Sequence, residues 1–470
     1  MNPVWPFPDR PPFEVQLEAL KQACGKFGFA WFMSMGLGKT AVVLAEFVNL
    51  LDSDEVDILV VAAPNPLKSN WRRETEIMGI DVPVFIWDGK KASIKDVPKT
   101  GPFVFVVNYE ALLGRGFDFV KSLAEKHRTY LALDESSFIK NHKAARTKNV
   151  HILVDYMSHV RLLNGTPIAN GPDDLWAQLR AIKAKGIRKY MQFKYRYCNM
   201  GGFEGRKVVG SKNEQELANL MKPYAFLATK EEWAKGLPDK LYTIHDITMT
   251  AEQKKAYSSM LNDYYAMVED QAVTVSQKVS ALMKMQQISS GFMYGEDGST
   301  LYLVDPKSNP KINDVADTLE MIDGKMIVFA NYKASIDMLR ERFPTAAYFI
   351  SASVAGEGYN IEEQSDRFNN DPDCEMLISQ IQVGQFGHTL IGTKRHRCAT
   401  VYFFENMYSL LSRKQAEDRP HRWGADRDIL YVDSPASPVE ERMATALAKK
   451  TDVANAVNSL IEFKPKGTVI

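Results

Sequence analysis

Four cysteines in 470 residues, Cys24, Cys198, Cys374 and Cys398, lie far apart and form no CxxC pair. That spacing excludes a disulfide framework and argues against a structural zinc site. It favours a reducing compartment, so a cytoplasmic protein is expected. Long apolar runs are missing as well: no stretch of about 18 apolar residues exists, and no membrane span is expected. The amino terminus, MNPVWPFPDRPP, carries prolines and an aspartate where a signal peptide needs an apolar run. Net charge is absent too, because 58 basic side chains meet 58 acidic ones. A uniformly basic nucleic-acid coat is thereby disfavoured, while local basic patches remain open.

What is present is a globular composition, 45% hydrophobic and 25% charged, on a chain long enough for a large core and roughly two to four domains. Short β-branched runs recur at 57–64, 103–110, 130–135 and 159–166, and again at 325–332, 375–381, 400–405 and 428–433. Continuous apolar strands alternating with helical stretches predict parallel sheets covered on both faces, hence two α/β lobes. Residues 170–235 and 250–295 lack such runs and read as helical insertions on the two lobes. Gly236 and Pro238 mark a candidate hinge at 235–241. The expected division is a first lobe over 1–235 and a second over 236–470, closing with one amphipathic helix or two short ones.

MGLGKT (35–40) follows the apolar run FAWFM and precedes the helical AVVLAEFVNLL. Strand, glycine turn, Lys-Thr and helix form the context of a phosphate loop. Met35, Gly36, Leu37 and Gly38 would line phosphate oxygens with main-chain N–H groups, helped by the positive end of the helix. Lys39 would reach the β- and γ-phosphates of ATP, and Thr40 would ligate magnesium. The strict GxxxxGK pattern is not met, since Met33 holds the first glycine position; a glycine turn that merely caps a strand is the plain alternative. LALDESS (131–137) ends an apolar strand in an acidic pair about 95 residues after the lysine. Asp134 is expected to hold Mg2+, and Glu135 to polarise the attacking water. The alternative is two carboxylates capping the next helix.

Further segments fall in a fixed order and resemble the Swi/Snf-type superfamily-two double-stranded DNA translocases from about residue 10 to about 450. EVQLEAL (14–20) resembles the family's glutamine motif, which implies that Gln16 reads the adenine edge. VVAAPNPLKSNWRRE (60–74) resembles the strand and loop that touch the DNA backbone, implicating Asn65, Lys68 and Trp71. NYEAL (108–112) resembles a further first-lobe motif. LLNGTPIANGPDDLWAQL (162–179) resembles the segment coupling nucleotide state to DNA grip, implicating Gly165, Thr166 and Asn170. ATKEEWAKGLPDK (228–240) is similar to the lobe-connecting segment. In the second half, KMIVFANYKASIDML (325–339) and RFNNDPDCEMLISQIQVGQFGHTL (367–390) resemble second-lobe motifs, implicating Ser379 in DNA contact and Gly387 in nucleotide binding. QAEDRPHRWGA (415–425) is the most specific match.

The resemblance implies two tandem RecA-like P-loop lobes with ATP between them. It makes Arg422 the arginine finger and Arg419 its partner, two residues three apart that are expected to share a face of a short helix. Surface arginines paired with Glu417 and Asp418 are the alternative. The sequence departs from the family pattern at Met33-Ser34, Ser137, Gln385, His388 and Ala425. His388 and His421 have no neighbours at metal-ligand spacing, so hydrogen-bonding roles at the lobe interface are expected of them.

Three basic stretches are candidate phosphate contacts. Residues 139–148 include Lys140 and Asn141. Residues 183–212 hold nine lysines or arginines against one acid, Glu204, and include Lys189 and Arg196; a helical protrusion with a solvated basic face and an aromatic core is the alternative there. Residues 394–397 include Lys394. The expected partner is double-stranded DNA, with a possible protein partner for targeting, no membrane, and a monomeric motor core of bacterial or phage type. A strand-separating or annealing helicase and a nucleotide-gated DNA-binding switch are the rival readings.

Overall fold

A computed structural model describes residues 3–89, 96–98, 100–165, 171–201, 207–234, 236–270, 275–351, 358–384, 389–407, 409–422, 424–445 and 447. The chain divides into two compact units, the first running from Met1 to Lys235 and the second from Gly236 to Thr451. No helix among the described residues is long and apolar enough to cross a membrane.

The first unit is built on seven strands: β1 (Gly28–Met33), β2 (Ile58–Ala63), β3 (Val84–Ile86), β4 (Phe103–Asn108), β5 (Thr129–Leu133), β6 (His159–Asn164) and β9 (Ala225–Ala228). Their order is β3-β4-β2-β5-β6-β1-β9, and every pairing is parallel. Helices cover both faces, which is why β1, β2 and β5 are buried at every residue and read as unbroken apolar runs. A parallel sheet puts all its carboxyl ends on one side. Residues 34–38 after β1, Gly165 after β6, Asp134 after β5, Asn65 after β2 and Tyr109 after β4 therefore line one edge in spatial sequence.

A buried ion pair fastens the helix after β1 to the sheet nearer its opposite end. Arg161 on β6 donates through Nε and Nη2 to Glu46 (2.9 and 2.6 Å), and the Tyr130 hydroxyl donates to the same carboxylate (2.8 Å). Glu46 lies on the helix Lys39–Asp52, so the pair locks the helix that follows the glycine loop onto the sheet.

The second unit carries six parallel strands: β10 (Lys240–Ile244), β13 (Lys325–Ala330), β14 (Ala347–Phe349), β15 (Met376–Gln380), β16 (Cys398–Phe403) and β17 (Ile429–Asp433). They are ordered β10-β17-β16-β13-β15-β14. The pleat sends Met326, Val328 and Ala330 into one core and Ile327 and Phe329 into the other. Helices Ala251–Asp270 and Val275–Ser290 join residues of the 438–445 helix in a satellite core of Tyr257, Met285, Ile288, Val439 and Met443.

Two expectations are corrected here. The stretch 170–235 is not purely helical: β7 (Cys198–Gly201) and β8 (Lys207–Ser211) form a hairpin, and β9 joins the main sheet beside β1. β9 has only four residues, AFLA, and its partner lies about 195 positions earlier, so local periodicity carries no sign of it. In 250–295 the end is likewise a strand, β11 (Phe292–Tyr294), paired with β12 (Thr300–Tyr302). The division between the units falls between Lys235 and Gly236, at the start of the candidate hinge 235–241, whose last two residues open β10 beside β17. The expected carboxyl-terminal helix is seen over 438–445; its continuation beyond 447 lies outside the described residues.

Candidate active site

The glycine loop is shaped by two left-handed residues, Gly36 (φ +86°) and Gly38 (φ +78°), which turn the chain from β1 into the helix α2 (Lys39–Asp52). Ser34 N donates to the Ala228 carbonyl at the end of β9 (2.8 Å), and Leu37 N closes a turn on the Ser34 carbonyl (3.3 Å). Leu37 is buried, whereas Met35, Gly36, Gly38, Lys39 and Thr40 are half-buried along the loop and first helical turn. Lys39 Nζ folds back onto the Met33 and Ser34 carbonyls (2.7 and 3.4 Å).

Gln16, on the helix α1 (Glu14–Ala23), reaches the same loop. Its Oε1 accepts from Phe13 N (2.9 Å) and its Nε2 donates to the Gly38 carbonyl (3.4 Å). A Cβ at position 38 would fall 2.0 Å from that nitrogen and displace the Gln16 amide, besides straining a φ of +78°. The amide thus ties the start of α1 to the end of the loop.

Asp134 follows β5 and is buried. Its Oδ2 accepts from the indole Nε1 of Trp71 (3.0 Å) and its Oδ1 from the main-chain N of Glu135 (3.0 Å). Burial raises its pKa, opposed by the Trp71 hydrogen bond, the positive charge of Lys39 and the Glu135 N–H. Glu135 is itself buried and sits in the left-handed region (φ +50°, ψ +55°). That conformation is uncommon for a residue with a Cβ and clusters at functional sites. The acidic segment is anchored onward, since Ser136 Oγ donates to Gln178 Oε1 (2.7 Å) and Lys140 pairs with Asp174 (3.9 Å), both on the helix Asp174–Ala181. Gly165 completes the row: a Cβ there would come within 3.5–3.8 Å of Met35 and Met33, so it abuts the glycine loop.

The donor set, one hydroxyl (Thr40) and one carboxylate (Asp134), suits a hard cation that keeps most of its ligands as water and phosphate. Among the described residues no group of three or more His, Cys, Asp or Glu could cage a metal by itself. The residues therefore fit magnesium arriving with a nucleotide.

In the second unit the arginines are arranged differently from expectation. The helix Leu410–Glu417 ends at Asp418, and Arg419 and Arg422 lie in the turn beyond it, not on one helical face. Pro420 is the reason, since a proline disfavours helix in the residue before it. Arg419 is buried, with Nε donating to the Gln415 carbonyl (3.0 Å). Arg422 is half-exposed, with Nε on the Asp418 carbonyl (3.0 Å) and Nη1 on Thr389 Oγ1 (2.9 Å). Of the acids beside them, Asp418 accepts from Lys240 (3.0 Å) and Glu417 from Arg413 (2.8 Å). His421 Nε2 donates to the Pro238 carbonyl (2.7 Å), a hydrogen bond within the second unit.

The profile of the SNF2-related domain matches residues 29–291, which span β1, the acidic segment and the first two helices of the second unit. The chain belongs to the SNF2-related family. It is 25% identical over 445 residues to the SWI/SNF-related matrix-associated actin-dependent regulator of chromatin subfamily A-like protein 1 homolog of Caenorhabditis elegans, covering 90% of this chain and 58% of that protein. To an uncharacterized ATP-dependent helicase of Mycoplasma genitalium, MG018, it is 22% identical, covering 91% and 40%. To the DNA annealing helicase and endonuclease ZRANB3 of Mus musculus it is 24% identical, covering 83% and 35%. The chain thus spans between about a third and three fifths of the length of these relatives. Among solved structures it is similar to a Sulfolobus solfataricus SWI2/SNF2 ATPase core in complex with dsDNA, at 19% identity and a TM-score of 0.43 over 99% of this chain and 97% of that one.

The residues expected at DNA from motifs and basic stretches, and Gly387, expected at the nucleotide, are placed differently from one another. Asn65, Asn141, Lys189 and Lys394 are exposed. Trp71 and Ser379 are not: Trp71 is 1% exposed and turned inward onto Asp134, and Ser379 is fully buried beneath Gly384, so neither can touch a nucleic acid. Lys68 is half-buried on the Trp87 carbonyl (2.5 Å), and Arg196 chelates Glu216. Thr166, Asn170 and Gly387 lie outside the described residues.

Lys189 lies in an open cleft of about 610 Å³ that His142, Lys143, Tyr190 and Lys194 also line. The His142 and Tyr190 rings stack with centroids 3.5 Å apart. Two basic stretches that sequence kept apart, 139–148 and 183–212, meet there. Their density of lysines was visible in sequence; their convergence on one cleft was not.

Proposed function

We propose that this SNF2-related chain is a DNA-dependent ATP hydrolase that moves along duplex DNA without separating its strands. The observation that carries the reading is the row of strand ends in the first unit, where the Lys39 loop, Gly165 and the buried Asp134–Glu135 pair occupy neighbouring positions. Main-chain N–H groups of residues 36–40 and the amino end of α2 would hold the phosphates. Lys39 would exchange the Met33 and Ser34 carbonyls for β- and γ-phosphate oxygens. Thr40 and Asp134 would hold magnesium, whose chemistry is to neutralise phosphate charge. Glu135 would take a proton from the attacking water as its oxygen bonds the γ-phosphorus and the bond to the β–γ bridging oxygen breaks. Arg422, half-buried beside the Asp418 carbonyl and the Thr389 hydroxyl, is assigned the role of neutralising charge on the transferred group; buried Arg419 is assigned to shaping the turn.

The names of the relatives, an ATP-dependent helicase and an annealing helicase among them, support ATP use and action on DNA. The lysine cleft, with exposed Asn65, Asn141 and Lys394, supplies candidate backbone contacts, which position a duplex without reading its sequence. The test is ATP hydrolysis with no nucleic acid, duplex DNA, single-stranded DNA and RNA, beside Lys39→Ala and Glu135→Gln. Duplex stimulation that both variants reduce by at least about 10²-fold is expected. Preference for single strands or RNA would favour a strand-separating helicase, and a rate indifferent to nucleic acid would leave only a nucleotide-gated switch.

A further inference from the structure

Two segments that resemble first-lobe motifs, the one over 60–74 DNA-facing, each place a buried aromatic donor on one residue of the nucleotide site. Trp71 gives its indole N–H to the Asp134 carboxylate (3.0 Å), and Tyr109 gives its hydroxyl proton to the Asp134 main-chain carbonyl (2.7 Å). The main-chain N of Asp134 donates to the Ala62 carbonyl on β2 (2.8 Å), and its other carboxylate oxygen accepts from Glu135 N. Asp134 is therefore held at four points, two of them by these aromatic side chains.

Trp71 sits on the helix α3 (Lys68–Ile77), which is two-faced. Trp71 and Thr75 are buried one turn apart, the Thr75 hydroxyl closing on the Trp71 carbonyl (2.8 Å). Ser69, Arg72, Arg73 and Glu76 are exposed, as is Asn65 in the short 3-10 turn before the helix. An indole packed this tightly cannot shift without the helix, and the helix cannot shift without moving the indole N–H relative to the carboxylate. Tyr109 repeats the arrangement at the end of β4: its ring is buried and stacked on Phe138 (centroids 5.2 Å), while Glu110, the next residue, is exposed.

We infer that Trp71, seconded by Tyr109, is a positioning residue: it fixes the Asp134 carboxylate in the orientation that receives magnesium with ATP, and it transmits contact of a DNA backbone with the outer face of α3 to that carboxylate. Outer partners that orient a metal-binding carboxylate typically change metal affinity by about 10–100-fold when removed. Reciprocity requires that, if duplex bound at α3 tightens ATP, ATP tightens duplex by the same factor. The second half of the inference rests on the duplex reading above; the first half does not.

The experiment uses the full chain with Glu135→Gln to block turnover. ATP affinity is measured by equilibrium titration in Mg2+ and in EDTA, with and without duplex DNA, for that parent and for added Trp71→Phe or Tyr109→Phe. In the parent, Mg2+ is expected to tighten ATP and duplex to tighten it further. Trp71→Phe keeps a ring and loses the donor, and is expected to cut the Mg2+ gain about tenfold and abolish the duplex gain. Tyr109→Phe, which removes a single hydroxyl, is expected to act in the same direction by a smaller factor. Unchanged Mg2+ and duplex gains in both variants, with a lowered melting temperature as the sole effect, would overturn the inference and leave two packing residues. A parent that gains from Mg2+ but not from duplex would overturn the transmitting role together with the duplex reading. The Mg2+ gain of Trp71→Phe would then still decide the positioning role, loss supporting it and retention overturning it.

Discussion

In the first unit the residues suited to a nucleotide stand at adjacent ends of β1, β6 and β5 and are cross-tied by buried hydrogen bonds. In the second, Arg422 stands in a turn after Pro420 and is held by a carbonyl and a hydroxyl, with its side chain half in solvent. Each unit fastens its scaffold with a buried ion pair: Arg161–Glu46 pins the helix that begins at Lys39, and Lys311–Glu440 (2.6 Å) pins the 438–445 helix beside the Phe404 carbonyl. The difference is in what the scaffold presents. The first unit presents a pre-formed cradle whose carboxylate cannot wander. In the second, Arg419 is buried and Arg422 half-buried in the turn after the helix, while Asp418 and Glu417 bond Lys240 and Arg413.

Separating the two arginines is the strongest way to break that comparison. Arg422→Ala is expected to lower the rate of ATP hydrolysis by about 10³-fold with little change in melting temperature or ATP affinity, as for an arginine supplied to a developing phosphate charge. Arg419→Ala is expected to act first on stability, read as a lowered melting temperature; equal rate losses without destabilisation in both would erase the distinction. In the first unit, Arg161→Ala leaves Glu46 buried without its partner and is expected to cost about 3–5 kcal/mol in denaturant unfolding. A loss below about 1 kcal/mol would show that the helix bearing Lys39 is held by packing alone.

Acid should also act on the first unit. Burial, and then the charge of Arg161, lowers His159 to a pKa of about 4. An unfolded chain protonates this imidazole near pH 6.5, so between about 6.5 and 4 the unfolded state binds more protons and stability falls as pH falls. The contribution is at most about 3 kcal/mol, and His159→Gln should flatten the pH dependence of unfolding across that window. The smallest effect is expected at the cleft, where Lys189→Ala and Lys143→Ala should each weaken duplex binding modestly and reduce its salt slope by about one. An unchanged slope would remove the cleft from the interface.

These variants also trace how far the sequence could be read. All eight β-branched runs are strands, because strands buried on both faces must be apolar throughout and no tertiary knowledge is needed to see that. The glycine loop was equally plain, since left-handed turns demand Gly36 and Gly38. β9 was invisible because its identity comes from hydrogen bonds to β1, far away in the chain, and its four residues carry no period. Trp71 looked like a surface contact within a motif. Its partner lies 63 positions later, and only the fold turns the indole inward. Glu135 gives no local sign of its left-handed backbone, which the end of β5 and the following turn impose. The arginine turn was legible and misread: Pro420 stood between the two arginines and already ruled out a shared helical face.

The most direct test of the account is displacement of a third strand annealed along a duplex, followed after adding ATP. The account expects release that requires ATP, leaves the duplex strands paired and disappears in Glu135→Gln. Tight duplex binding with ATP hydrolysis but no release, or separation of the duplex strands themselves, would contradict it.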